Sequence, residues 1–501
     1  MKAMFAARKM LSVLFTPNPI VIKELRQIVR SRYIVGILFL FLLVQLVATG
    51  IALLTTSTLS ILNLDAALRA GREMFQILIV ILTGACLLFI PTYTGLRLAM
   101  ERNVSNMDLL FVTTISPGAI IRGKLLAGMT ITVLMFSATA PFMSFTYLLR
   151  GIDLPSIFVV LAFNFLVVIA AIELAMCLAC VPASKPFKTL IGLAFTAGMI
   201  TATTTLAVIE SEMIDEGIGS QLRSWDFWQP ALIVLGILVS ISGFLHVFSI
   251  SMISPSSSNR ALPIRIYLAI LWLIWGGVAI WAAIAESDAD IIFAWLIPFI
   301  VLLSMGILAA ISENPVPSNR IRRNIPKRRV FARVAFLFYT GPAGGIISNV
   351  LLVALTFCIS VYCWSLIGHK AHYSSFEEVT EVMIGVFLYI FAYSMTAVLF
   401  CRIFLRKRSW HRIAWAVALL LMAAGSIFPV IVAFMFKLFV WKSPTGGEWY
   451  FLGNLFALGS DKGRVNHVQF VSMWSVLVTL ANLKWIMLQV RDFIPLRKND
   501  Q

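Results

Sequence analysis

Charge is scarce in this chain. Asp, Glu, Lys and Arg together make up 13% of its 501 residues, about half the share of an ordinary soluble domain. With 60% apolar residues and a mean hydropathy of +0.93, a soluble globular protein is excluded. Cysteine is also sparse: all six lie inside apolar runs, so there is no disulfide framework of the kind that staples small secreted domains. Cys177 and Cys180 form a CxxC, but it sits within an apolar run and has no second pair, which reads as packing and not as a zinc site. Of the five histidines, only His369 and His372 are close in sequence, and a surface loop explains them more simply than a metal clip. No Ser-His-Asp set and no paired carboxylates are legible. The segment Gly118-Ala-Ile-Ile-Arg-Gly-Lys124-Leu125 approaches a phosphate-binding loop. It fails where the chemistry is strict, because Leu125 replaces the magnesium-holding Ser or Thr and no buried strand leads into it. The chain is therefore not expected to hydrolyse ATP, to be an enzyme by itself, or to bind a cofactor of its own.

What is present is a series of long apolar runs. Crossing about 30 Å of hydrocarbon takes roughly 20 residues of helix. Twelve runs meet that need, at 33–56, 74–96, 125–149, 155–181, 189–209, 230–253, 266–285, 291–311, 344–367, 382–401, 413–436 and 468–483. Their connecting segments are unequal in charge. With the N-terminus inside, 31 of the 40 Lys and Arg fall on the cytoplasmic side and 9 outside, whereas 16 of the 23 acids fall outside. Lysine and arginine are retained on the cytoplasmic side, so the asymmetry predicts both termini inside and an even number of spans. The net charge of +17 then reflects orientation and contact with anionic lipid, and no nucleic-acid partner is expected. The fold class is an all-α polytopic membrane protein of about twelve spans, placed in the inner or plasma membrane.

Three segments interrupt the spans with patterns of their own. Residues 1–15 have a basic start and too short an apolar patch for a signal peptide, so they are expected to remain on the cytoplasmic surface. From Pro19 to Arg32, Val21, Leu25, Ile28 and Val29 share one face and Lys23, Arg26 and Arg30 the other, which predicts an amphipathic helix lying in the membrane plane. Arg97 to Gly128 is the third. Ser105 with Asp108 reads as a capping box before Leu109, Leu110, Phe111 and Val112, and Ser116-Pro117 reads as an N-cap with proline at the first position of the next span. A short helix held between two spans by tight turns suits the receipt of a push from a partner.

These two segments resemble the permease subunits of type-2 ABC exporters. The residues that carry the likeness are Asn18, Pro19, Lys23, Glu24, Leu25 and Arg26 before span one, and Glu101-Arg102, Leu109-Leu110, Ser116-Pro117 and Gly123-Lys124 between spans two and three. The resemblance covers the first half of the chain. It implies an N-terminal elbow helix, a coupling helix docked through Leu109, Leu110 and Phe111 and capped by Ser105 and Asp108, and Lys124 anchoring the start of span three. It further implies a separate cytoplasmic ATPase that carries the ATP and magnesium, with a homodimer or a second permease completing the path. The expected division is an N-terminal segment at 1–32, a permease-like six-span bundle at 33–253, and a second six-span region at 254–501 of unassigned role. Ser254-Pro255-Ser256-Ser257-Ser258-Asn259 is read as the connector.

Several smaller expectations complete the reading. Glu210 to Gln229 is expected as an acidic outside loop, with Trp225, Phe227 and Trp228 forming either an interfacial anchor or an outer gate. Ser312 to Gly341 is expected as a solvated basic loop, although Asn314-Pro315 faintly repeats Asn18-Pro19. Glu173 lies deep in span four, where a carboxylate costs about 2.5–3.5 kcal/mol. It must face protein or water, as a translocation-path group or a packing residue, with Gln45 and Asn164 as candidate partners. Two alternatives to an exporter permease remain: a proton-coupled secondary transporter using Glu173, and a membrane assembly or scaffold protein without transport.

Overall fold

The computed structural model describes residues 19–59, 64–101, 116–149, 152–181, 184–215, 221–255, 257–367, 376–405, 410–435, 452–459 and 463–495. Twelve of the described helices are long and apolar enough to cross a bilayer, and no strand occurs among the described residues. The protein is thus an all-helical, multi-pass membrane protein. The chain divides into two compact units, Met1–Ser254 and Pro255–Gln501.

In the first unit an 11-residue helix, Pro19–Val29, precedes span one, Arg32–Leu59. Span two runs over Leu64–Glu101, span three over Pro117–Leu148, span four over Leu154–Ala179, span five over Lys185–Asp215 and span six over Trp225–Ile253. Span two is the axle. Its 38 residues give a rod of about 57 Å, well beyond the hydrocarbon thickness. Phe75, Leu78, Ile79, Leu82 and Leu87, at helical spacing, are almost wholly buried against spans one, three, four and five. Close approach to span four is permitted by Gly95, where a Cβ would stand 3.1 Å from the Ala175 carbonyl oxygen. Span six completes the unit by packing on spans four and three.

One expectation is corrected here. The acidic segment beginning at Glu210 is not a loop at its start: span five continues as helix to Asp215, and Glu210 is only 2% exposed. Its carboxylate accepts a 2.7 Å hydrogen bond from Asn164 Nδ2, and Asn164 Oδ1 in turn accepts one of 2.9 Å from Thr83. Spans two, four and five are thereby linked by one buried polar chain. The Asn164 amide satisfies one oxygen of this buried carboxyl group, and Oε2 is buried without a hydrogen-bond partner.

The second unit contains spans seven to twelve: Ala261–Glu286, Phe293–Ile311, Pro342–Ile367, Phe376–Phe400, His411–Met435 and Arg464–Asp492. Spans eight and ten carry its core, through Leu296, Ile300, Leu303 and Ile307 on the former and Met395, Ala397 and Val398 on the latter. Span ten packs against spans eight, eleven and twelve, and span eight against span nine. A π-helical turn, Cys401–Leu405, closes span ten, and there Arg402 donates to Asn482 Oδ1 at 3.1 Å and lies over the Trp485 ring.

The basic stretch between spans eight and nine departs from the expected solvated loop. It contains two helices, Asn319–Arg323 and the amphipathic Arg329–Phe338, which packs against spans nine and seven. Arg265 of span seven organises their junction. Its guanidinium meets both oxygens of Glu313 at 2.7 and 2.8 Å and donates to the carbonyls of Leu337, Tyr339 and Gly341. The Gly341 N–H returns to Glu313 at 2.6 Å. Burial pushes the Glu313 carboxyl up, and the Arg265 guanidinium and the Gly341 N–H oppose that rise. A five-donor fork can satisfy several carbonyls and a carboxylate at once, so it ties a turn that a lysine could not. Gly345 leaves the room: a Cβ there would collide with the guanidinium and stand 2.7 Å from Ala310 Cβ.

Candidate coupling site and a buried glutamate–histidine contact

Four residues from three segments that are distant in sequence meet at one end of the first unit. Lys124, in the second turn of span three, points its ammonium at Glu24 of the N-terminal helix, 2.9 Å from Oε1, and at Glu101, the last residue of span two, 2.7 Å from Oε2. Lys23 approaches the same Glu101 at 3.4 Å. Lys124 and Glu24 are nearly inaccessible, with side chains 3% and 5% exposed, whereas Glu101 is 35% and Lys23 55% exposed. The buried Lys124–Glu24 pair is the strong tie, because water does not screen it, and the outer Lys23–Glu101 contact adds little. Two acids and two bases make the cluster neutral. Its consequence is mechanical: the N-terminal helix, the end of span two and the start of span three are pinned to one ammonium group.

Local sequence explains how each group arrives there. Ser116 caps span three by accepting the Ala119 N–H at 3.3 Å, and Pro117 occupies the first helical position without losing a hydrogen bond. Lys124 follows seven residues after Pro117, two turns into the helix, so the cap sets the direction in which its side chain leaves. Gly118 to Leu125 is helical throughout, with Gly123 and Lys124 buried, so its amides form the turns of a span and no phosphate cradle. On the N-terminal helix, Glu24 and Ile28 face inward one turn apart, while Leu25 packs against the core beside them. Pro19 begins that helix and Arg26 is exposed on its outer side. Arg97, one turn before Glu101, donates to Gln27 Oε1 at 2.7 Å and to the Tyr93 hydroxyl at 2.5 Å, a second tie between the same two elements.

Of the residues singled out by the resemblance, Asn18, Arg102, Ser105, Asp108, Leu109, Leu110 and Phe111 lie outside the described residues. So does the His369–His372 pair. Glu101 and Ser116 bound the segment that contains the six from Arg102 to Phe111, and both bounding positions are locked as described above.

Glu173 has a partner that neither sequence candidate supplied. Its Oε1 lies 2.7 Å from Nδ1 of His246 on span six, while its Oε2 is buried with no hydrogen-bond partner. Glu173 is 2% exposed and His246 21%. The contact requires one proton between the two atoms: either Nδ1–H donates to a carboxylate, or a carboxylic acid donates to a neutral ring. Asn164 is nine residues from Glu173, about 900° of helix, and hence on the opposite face of span four. It serves Glu210 instead, and Gln45 donates to the Leu78 carbonyl at 3.2 Å. The sequence signal for His246 is a lone histidine in the apolar body of span six, whose one charged residue, Asp226, lies in its first turn. Cys177 and Cys180 are both buried in the core of the first unit. Among the described residues no group of three or more His, Cys, Asp or Glu side chains is placed to hold a metal ion.

Searches of family models, of curated proteins and of solved structures return no match to this chain, so the residues themselves carry the functional argument.

Proposed function

We propose that the chain is the membrane permease subunit of an ATP-driven exporter of the ABC type-2 class, working with a separate cytoplasmic ATPase. The observation that supports this most is the Glu24–Lys124–Glu101 cluster. A partner pressing on the segment between spans two and three would displace the N-terminal elbow and the ends of both spans together, because all three elements share Lys124. Such a joint converts a local push into movement of three helices, as coupling to an ATPase closing on ATP demands. In this scheme Leu109, Leu110 and Phe111 dock the partner, Ser105 and Asp108 cap the docking helix, and Arg102, Ser116, Pro117 and Gly123 frame it. The second unit, spans seven to twelve, is assigned no role in this scheme. Both termini face the cytoplasm, and the membrane is the cell membrane.

A second reading is favoured by one observation. The Glu173–His246 pair places a proton-carrying contact inside the span bundle, which would suit a proton-coupled transporter. Extraction of tagged protein in mild detergent, with mass spectrometry of what co-purifies and an ATPase assay on the same sample, separates the two. A stoichiometric subunit carrying a Walker A sequence, lost from a Leu110→Asp variant that still elutes as folded protein, is the expected result. A silent sample without any ATPase would refute the exporter reading and turn attention to proton flux in Glu173→Gln.

A further inference from the structure

The N-terminal helix has an outer side that the ion-pair cluster does not use. Between it and spans one and two lies an open groove of about 620 Å³, lined by Arg26, Gln27, Arg30, Tyr33, Arg97 and Met100 among others. Three arginines converge there and no carboxylate lines it. Glu24 and Glu101, on the neighbouring turns of the same helices, are already taken by Lys124 and Lys23. Arg97 bonds only neutral groups, Gln27 Oε1 and the Tyr93 hydroxyl, and its guanidinium also stands 5.4 Å from the Tyr93 ring centre. Among the described residues Arg26 and Arg30, one turn apart on the exposed side, have no ion-pair partner. Tyr33 stacks on Tyr93 with centroids 6.0 Å apart, and Leu96 and Met100 add an exposed apolar wall. Span one begins at Arg32, so the arginines stand where a membrane helix emerges from its apolar run.

We infer that this groove binds the phosphate headgroup of an anionic phospholipid, with Arg26, Arg30 and Arg97 around the phosphate and the glycerol and first acyl carbons along Leu96, Met100 and Tyr33. The charge pattern selects that occupant. Uncompensated guanidinium forks match phosphate oxygens in geometry and charge, and an adjoining apolar wall at a membrane boundary suits the rest of a lipid and not a free ion. The lipid would bridge the N-terminal helix and span two on the side opposite to Lys124. This site does not depend on the exporter reading, since it needs only the membrane and the fold of the first unit.

The test uses full-length protein, delipidated in detergent, with phosphatidylglycerol, phosphatidylcholine or inorganic phosphate added. Retained lipid is counted by native mass spectrometry, and apparent affinity is read from the thermal shift in tryptophan fluorescence. Phosphatidylglycerol should be retained and stabilising, and phosphatidylcholine should not. A basic residue near an anionic surface contributes about a fivefold change in affinity. Arg26→Gln with Arg30→Gln should therefore weaken phosphatidylglycerol by about 25-fold, and Arg122→Gln, on an exposed arginine outside the groove, should leave it unchanged. Arg30→Lys, which keeps the charge but loses the fork, should fall between wild type and Arg30→Gln and guards against a folding artefact in the double variant. Equal retention of both lipids, an equal loss in Arg122→Gln, or protection by inorganic phosphate as strong as by the lipid would each overturn the assignment.

Discussion

Replacing Lys124 with methionine removes the ammonium while keeping most of the side-chain volume, and leaves Glu24 as a buried carboxylate without its cation. Breaking a buried pair from one side costs about 3–5 kcal/mol, because the stranded charge can neither pair nor reach water. Glu24, with a side chain 5% exposed, meets that condition, whereas Glu101 at 35% can recover hydration and adds no more than about 1 kcal/mol. For a unit of this size each kcal/mol moves the midpoint by about 2–4 °C, so the apparent Tm of Lys124→Met should drop by about 6–20 °C. Adding Glu24→Gln removes the stranded charge, and the double variant should regain at least half of that loss. Lys23→Met is the control: at 3.4 Å and 55% exposure its contact contributes about 0–1 kcal/mol, a shift of at most a few degrees. Thermal unfolding of purified protein, followed by tryptophan fluorescence and checked by size-exclusion elution, measures all four. The reasoning fails if Lys124→Met melts within about 2 °C of wild type, or if the losses in the double variant simply add.

The Glu173–His246 contact makes a different kind of prediction. Glu173→Gln keeps the shape and an acceptor for Nδ1–H and should stay within about 1 kcal/mol of wild type, whereas His246→Leu leaves the carboxylate bare and should lose about 1.5–3 kcal/mol. Equal losses in thermal unfolding would show that the pair is not what satisfies Glu173. In the second unit, Gly345→Ala forces a methyl group into the Arg265 guanidinium and should cost about 1–3 kcal/mol. Gly277→Ala, where nothing stands within 4 Å of the added carbon, is the matched control and should be neutral or slightly stabilising. Indistinguishable midpoints for the two variants would mean that Arg265 is not held as tightly as its contacts imply.

What could be read from the sequence and what could not follows from the range over which each signal acts. Apolar run length is a local property, and the requirement that a span satisfy its own backbone within hydrocarbon makes each run a helix whatever its neighbours do. The twelve spans and the Ser116-Pro117 start of span three are of this local kind. So is the amphipathic helix at Pro19–Val29, since alternation of apolar and basic faces is written into eleven consecutive residues. The helix at Arg329–Phe338 carries the same signal, but it was hidden by the arginine density around it, which reads equally well as a solvated loop.

Pairing is not local. Lys124 and Glu24 are 100 positions apart, Glu173 and His246 73, Asn164 and Glu210 46, and no spacing rule joins them. Glu210 could not be separated from an acidic loop by sequence, because its partner, the amide of Asn164, comes from a neighbouring span. The chain's own residues thus determined that it is a multi-pass membrane protein, which of the described helices are long and apolar enough to span, and where its amphipathic segments lie. Which charges would be buried, and which would find a partner, was decided only when the helices packed, because the free energy of an ionisable group inside a bilayer depends on its neighbours in space and not on those in sequence.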